Sequence, residues 1–230
     1  MSKVVLSLAV AASLASVGSA NAADLIKPYV GIKAGAGFAQ ADDVSFQNPR
    51  LKSGIGDDYS DTVALGGASA GAAFTGTPFR AELEYTYRDE AEFSRDDNIG
   101  GGAGLPAHQA PKVRSQSAMI FGFYDINTDT RFTPFLSAGA GVSFNKAKAQ
   151  QTQPATNWDK EFAGDDRTDF AWGVGAGVGV SVLPMLTLDI GYRYVDLGKW
   201  SVGNMPATGD EDLTGRLRSH EVYVGARYSF

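Results

Sequence analysis

The run Phe170 to Val182, "FAWGVGAGVGVSV", has glycine at 173, 175, 177 and 179. Glycine-rich runs can cradle phosphate, but a dinucleotide fingerprint needs G-x-G-x-x-G at a strand-to-helix turn. Here the glycines recur at every second position and no helix-like segment follows. Phe170, Trp172, Val174, Ala176, Val178, Val180 and Val182 alternate with the glycines and Ser181. A period of two places all apolar side chains on one face of a strand and all the small ones on the other. The chain must therefore build a sheet with one oily face and one face almost bare of side chains.

The same alternation recurs from end to end. It predicts eight strands, at about 28–39, 61–74, 79–93, 113–127, 131–146, 168–183, 185–200 and 215–230. Each is long enough for the roughly 9 to 11 residues a tilted strand needs to cross a bilayer. The connections near 75–78, 128–130 and 184 are tight, whereas those near 40–60, 94–112, 147–167 and 201–214 are long and polar. Short and long connections in alternation are expected of an outer-membrane barrel with brief periplasmic turns and larger extracellular loops. A soluble β-sandwich would bury its apolar face between two sheets and space its connections less regularly. The expected fold is thus all-β: an eight-stranded antiparallel up-and-down transmembrane β-barrel with four long extracellular loops.

The N-terminus has the form of a secretory signal. Lys3 precedes a short apolar stretch from Val4 to Val17, and Ala20-Asn21-Ala22 is a small-x-small cleavage site. We expect residues 1–22 to be a signal peptide and 23–230 to be the barrel domain. The chain has no cysteine, which excludes disulfides, thiolate metal sites and a cysteine nucleophile. Its formal net charge of −6 argues against nucleic acid as the main partner.

In the third strand Phe79, Ala81, Leu83, Tyr85 and Tyr87 alternate with Arg80, Glu82, Glu84 and Thr86. The first, seventh and eighth strands behave alike, while strands two and four alternate poorly and their facing stays open. Aromatic residues gather toward the strand ends, as in the two girdles of such barrels. An eight-stranded barrel is so narrow that side chains fill its interior. Large inward groups then need tiny ones opposite, the role expected for Gly173 to Gly179. The large inward groups are Lys33, Arg80, Glu82, Glu84, Asp189, Arg193, Glu221 and Arg227, four cations and four anions. Confined charges must be compensated, so one network is expected, with Asp189 facing Arg227 and Arg193 facing Glu221.

The C-terminal "YVGARYSF", with Tyr228 two residues before Phe230, resembles the signal that directs outer-membrane proteins to the barrel-assembly machinery. "TPFLSAGAGVSF" (133–144), "FAWGVGAGVGV" (170–180) and "LDIGYRYVDLG" (188–198) resemble the opacity-type outer-membrane proteins. These are eight-stranded, OmpA-like barrels of Gram-negative bacteria, loosely called a porin family. The resemblance covers nearly all of the mature chain. It implies a cell outer-membrane location and roles in envelope integrity, surface contact or adhesion, and immune exposure, with no shared catalytic residues. The implied partners are outer-membrane lipid and lipopolysaccharide, the assembly machinery, and surface ligands met by the loops; no cofactor is implied. Larger OmpA proteins carry a peptidoglycan-binding domain after the barrel, and the end of this sequence at Phe230 leads us to expect none.

Two other classes compete with this reading: a small-solute porin, and an outer-membrane hydrolase. Serine–histidine hydrolysis needs a base within hydrogen-bond reach of the nucleophile. Of the two histidines, His108 sits in a long loop, and "RSHEV" (218–222) sets Ser219 and Glu221 on the face opposite His220. The His-x-Ser pair of lipid A deacylase barrels is missing, and the omptin proteases are larger, ten-stranded barrels. We therefore expect no enzyme. Acidic clusters mark the loops at Asp42-Asp43, Asp57-Asp58, Asp96-Asp97, Asp165-Asp166 and Asp210-Glu211-Asp212. Their spacing does not match a calcium loop. Solvated loop tips are the plain reading, and divalent bridging to lipopolysaccharide phosphates the bolder one.

Overall fold

The computed structural model describes residues 25–46, 59–93, 95–97, 107–153, 158–205 and 211–230. The segment 1–22, expected to be a signal peptide, lies outside them, as do Asp57, Asp58 and Asp210. The strands are β1 (Ile26–Phe46), β2 (Tyr59–Phe74), β3 (Phe79–Glu92), β4 (Arg95–Asp97), β5 (Ala107–Asp125), β6 (Phe132–Gln153), β7 (Trp158–Leu183), β8 (Leu186–Met205) and β9 (Glu211–Ser229). The short β4 continues the path of β3 along β5, so the two make one stave. Every neighbouring pair is antiparallel, β1 pairs with both β2 and β9, and β3 pairs with β5. The sheet therefore closes into an eight-stave barrel.

At one end the turns are tight. Residues 75–78 close β2 onto β3, with Gly76 in the left-handed region (φ 76°). Residues 126–131 join β5 to β6 around Asp129, whose amide donates to Asn127 Oδ1 at 3.0 Å. Pro184 and Met185 alone separate β7 from β8. The long staves run 14 to 26 residues, well beyond the ~9 to 11 that a bilayer requires. Because the turn-side ends are flush, all of the excess overhangs on the loop side.

That overhang corrects the expected loop boundaries. The segments read as loops at 40–60, 94–112, 147–167 and 201–214 are shorter, since β1, β6, β7 and β8 keep pairing to Phe46, Gln153, Trp158 and Met205. Their interior explains why pairing continues. Ala41 and Ala147 are buried there, continuing the apolar interior that Val63, Val113, Val195, Leu197, Trp200 and Leu217 form at the ends of the expected strands. Strand polarity alone marked these stretches as loops, because their outward positions are charged.

Facing follows the expected parity in the first, third, seventh and eighth staves. Ile32, Leu83, Ile190, Leu188, Val222 and Val224 point outward and exposed, whereas Arg80, Glu82, Glu84, Asp189, Arg193 and Glu221 are buried. The second and fourth staves are now settled. In β2, Val63 and Leu65 point in while Ala64 and Ala68 point out, and in β5, Met119, Phe121 and Phe123 point in while Ile120 and Tyr124 point out. Two aromatic girdles ring the exterior. Phe79, Tyr124, Phe132, Tyr228 and Phe230 stand at the turn end, and Phe38, Tyr87, Phe144, Phe170 and Trp172 stand about ten residues higher.

Candidate functional site

The residues most unusual for their environment lie inside the barrel at membrane height. On β3, the period of two carries Arg80, Glu82, Glu84, Thr86 and Arg88 into the lumen, all buried. Glu84 accepts from Arg193 Nη1 at 2.8 Å and lies 2.5 Å from Lys33 Nζ. Glu221, fully buried, accepts from Arg193 at 2.7 Å and from Arg88 Nε at 2.5 Å. Two carboxylates thus hold three cations at mid-height.

Nearer the turn end, Arg80 donates to Asp125 at 3.0 Å and lies 3.7 Å from Glu82. The Tyr29 hydroxyl donates to Glu82 at 2.9 Å and accepts from Arg80 at 3.3 Å. Arg227 donates two hydrogen bonds to Asp189, at 2.6 and 3.0 Å. The single network anticipated from composition is thus divided into three ion-paired groups. The reason is strand geometry. Inward positions on one stave stand ~6.6 Å apart, so Glu82 leans down to Arg80 while Glu84 leans across to Lys33 and Arg193.

Aromatic rings fill the space between the groups. The Arg80 guanidinium lies 3.7 Å from the centroid of Phe123 and 5.1 Å from that of Phe135. Arg193 lies 4.9 Å from Phe121, and Arg227 5.5 Å from Tyr29. A planar guanidinium gains from such faces while its edge keeps its carboxylate. The glycine face of β7 seats these groups. A Cβ at Gly177 would stand 2.4 Å from the Phe135 ring, and one at Gly179 3.0 Å from Asp189 Oδ1. Among the described residues, a lumenal cavity beside Arg80, Glu82, Glu84 and Arg193 holds about 30 Å³, room for about two water molecules.

Sequence reading missed Arg88, Asp125 and the aromatic lining from β5 and β6, and gave Tyr29, inward by parity with Lys33, no part in the network. Parity alone would have found Arg88, which extends the even-numbered run of β3, but not Asp125, which lies on the strand whose facing was open.

At the outer girdle, His220 points outward, and its Nδ1 lies 2.6 Å from the Tyr192 hydroxyl. Ser219 and Glu221 are buried on the opposite face, and Glu221 is held by two arginines. Backbone pairing places His108 opposite Thr152; its side chain lies outside the described ones. Of the acidic loop residues, Asp42 is 2.6 Å from Arg218 and Asp166 is 2.5 Å from Lys146. Among the described residues, no group of three or more acidic or histidine side chains could hold a metal ion. At the C-terminus the Tyr228 and Phe230 rings meet edge to face at 5.4 Å, and the Phe230 amide donates to Pro28 O at 3.0 Å.

Comparison with known proteins agrees with this geometry. The model of the outer membrane protein beta-barrel domain matches residues 7–230. Outer membrane protein PagN of Salmonella typhimurium is 31% identical over 182 residues, covering 76% of this chain and 70% of that protein. Opacity protein opA68 of Neisseria gonorrhoeae is 30% identical over 107 residues, 46% of this chain and 39% of that protein. Among solved structures, outer membrane protein AlkL in lipid bilayers superposes with a TM-score of 0.51 at 14% identity, covering 89% of this chain and 90% of that one. The last likeness concerns the fold alone. An oily exterior between two girdles, a closed barrel and these matches lead to one conclusion: the chain belongs to the family of outer-membrane proteins built on the beta-barrel domain, and it resides in the outer membrane.

Proposed function

We propose that this protein is a non-enzymatic surface barrel that contributes to envelope integrity and meets other surfaces through its extracellular loops. Export by cleavage of residues 1–22 and assembly through Tyr228 and Phe230 belong to the same reading. The observation that carries it is the packed lumen. Three ion-paired groups and four aromatic rings from β1, β5 and β6 fill the lumen at membrane height, where among the described residues the cavity beside them holds about 30 Å³. Such a core stiffens a scaffold and leaves little room for a solute. Recognition then falls to the loops, where function concentrates on rigid frames. Lys33, Arg80, Glu82, Glu84, Asp189, Arg193, Glu221 and Arg227 act in this reading as structural groups.

The competing reading is a small-solute pore. Planar-bilayer recording separates the two: the packed lumen predicts no stable conductance, and large, steady channels would replace this proposal with a porin. A hydrolase would need a nucleophile near a free base. His220 instead faces Tyr192, and the neighbouring Glu221 is occupied by Arg88 and Arg193. Lipid A or peptide turnover abolished by His220→Ala or His108→Ala would overturn the non-enzymatic part. A deletion strain scored for detergent sensitivity and for host-cell binding tests the two roles. Wild-type scores on both would refute them.

A further inference from the structure

Depth divides the lumenal charges unevenly. Apart from the turn-end pair Arg227–Asp189, four cations among the described residues are less than a tenth exposed: Lys33, Arg80, Arg88 and Arg193. Three carboxylates share that burial, Glu82, Glu84 and Glu221. The remaining lumenal carboxylate, Asp125, is a quarter exposed at the turn end, where it bonds an Arg80 that Glu82 already serves. The surplus therefore stays at mid-height, where Lys33, Arg88 and Arg193 share Glu84 and Glu221. An uncompensated charge in a dry interior is strongly unfavourable.

Hydrogen-bond donors are in excess at the same place. Lys33, Ser69, Arg80, Ser137, Arg193 and Tyr223 border the lumenal cavity of about 30 Å³. Lys33 Nζ and Arg80 Nη2 are shielded from water and donate to no acceptor, although Lys33 stands beside Glu84. The hydroxyls of Ser69, Ser137 and Tyr223 make no hydrogen bond among the described residues. Glu82, Glu84 and Asp189 also reach the cavity, but each is engaged. Tyr29 and Arg80 hold Glu82, Lys33, Thr86 and Arg193 hold Glu84, and Arg227 holds Asp189. A buried donor without an acceptor forfeits its hydration for nothing. Five such groups around one small space call for a guest that accepts from every side. Water would add donors of its own. An anion adds none, and it supplies the missing charge.

We propose that the lumen binds one monovalent anion of chloride size, held by Lys33, Arg80 and the hydroxyls of Ser69, Ser137 and Tyr223. Room for about two water molecules admits a halide and excludes sulfate or phosphate. A single surplus charge selects a monovalent ion. Charge-assisted hydrogen bonds from the two cations are the strong contacts, and the hydroxyls rotate to donate. The anion thus completes the plug that packs the barrel at membrane height. Its signature is a stability that rises with halide, whereas simple screening of ion pairs lowers stability with any salt. The site lies apart from the extracellular loops, so the adhesive reading can fail without touching it.

The direct test is crystallography of the mature barrel grown in sodium bromide, read by the anomalous scattering of bromide. A peak inside the lumen between Lys33 and Arg80 is expected. Water at that place, with bromide confined to the exterior, would overturn the proposal without any variant having to fold. In detergent, melting of the SDS-resistant band is compared in sodium chloride and sodium gluconate at equal ionic strength, which holds screening constant. Wild type should melt about 3 °C or more higher in chloride, with an effect that saturates. Lys33→Met removes the surplus charge and should abolish the difference. Ser137→Ala should raise the chloride needed for half the effect about tenfold, as befits one lost hydrogen bond to a charged group. Lys112→Gln, on the exterior, should keep the wild-type difference. Equal melting of wild type in the two salts would refute the site. So would a chloride effect that survives Lys33→Met and disappears in Lys112→Gln.

Discussion

The two halves of this barrel solve opposite problems with one alternating pattern. At membrane height the exterior is Leu, Ile, Val and aromatic residues, and the lumen holds Arg80, Arg88, Arg193, Glu84 and Glu221. Beyond the outer girdle the exterior carries Lys112, Arg114, Lys146 and Arg218, and the lumen is filled by Val113, Val195, Leu197, Trp200 and Leu217. Ser115, Ser117, Ser143, Asn145 and Ser219 form a buried polar layer between them, with Ser143 and Asn145 donating to Leu197 O. The overhang is organised like a water-soluble protein and the spanning part is inverted. Alternation fixes which residues share a face; the medium outside decides which face becomes polar.

The largest expected effect concerns the inverted half. Glu221→Ala strands Arg88 and Arg193 without their shared carboxylate, and removing one partner of a buried pair costs about 3–5 kcal/mol. Urea unfolding in lipid vesicles should show that loss, whereas Asp166→Ala on the overhang should not. Leu197→Ala should cost about 3 kcal/mol through the cavity it leaves. Its effect should be seen in the same unfolding assay, because the overhang depends on an apolar core. Val224→Lys places a cation against lipid and should cost about 2 kcal/mol, diminishing with distance from the midplane. Gly177→Ala forces a methyl against Phe135 and Ile190 O; about 1–2 kcal/mol is expected, read as a lower melting temperature of the SDS-resistant band. Smallest is Asp166→Ala, at under ~1 kcal/mol for an exposed pair.

How much of this was legible in the sequence depended on contrast between faces. In β3, Arg80-Ala81-Glu82-Leu83-Glu84 leaves one assignment open, and Arg193–Glu221 pairing follows from the β8–β9 register. In β5, Met119-Ile120-Phe121-Gly122-Phe123-Tyr124 is apolar on both faces, so composition could not choose. The choice is made by Arg80 and Arg193, whose guanidiniums take Phe123 and Phe121 as neighbours. The overhang was hidden for the converse reason. Its polar exterior looks like loop, and Trp200 reaches the lumen only through the bulge at Gly198, which has φ 73° and donates to Asp196 Oδ1.

Spin labels placed singly along the outward face of β9, at Val224, Val222, His220, Arg218 and Arg216, test the inversion most directly. Oxygen should relax the labels at 224 and 222 and a water-soluble nickel complex those at 218 and 216, with the crossover at 220. Uniform nickel accessibility along the stave, or oxygen dominance persisting to 216, would contradict the account.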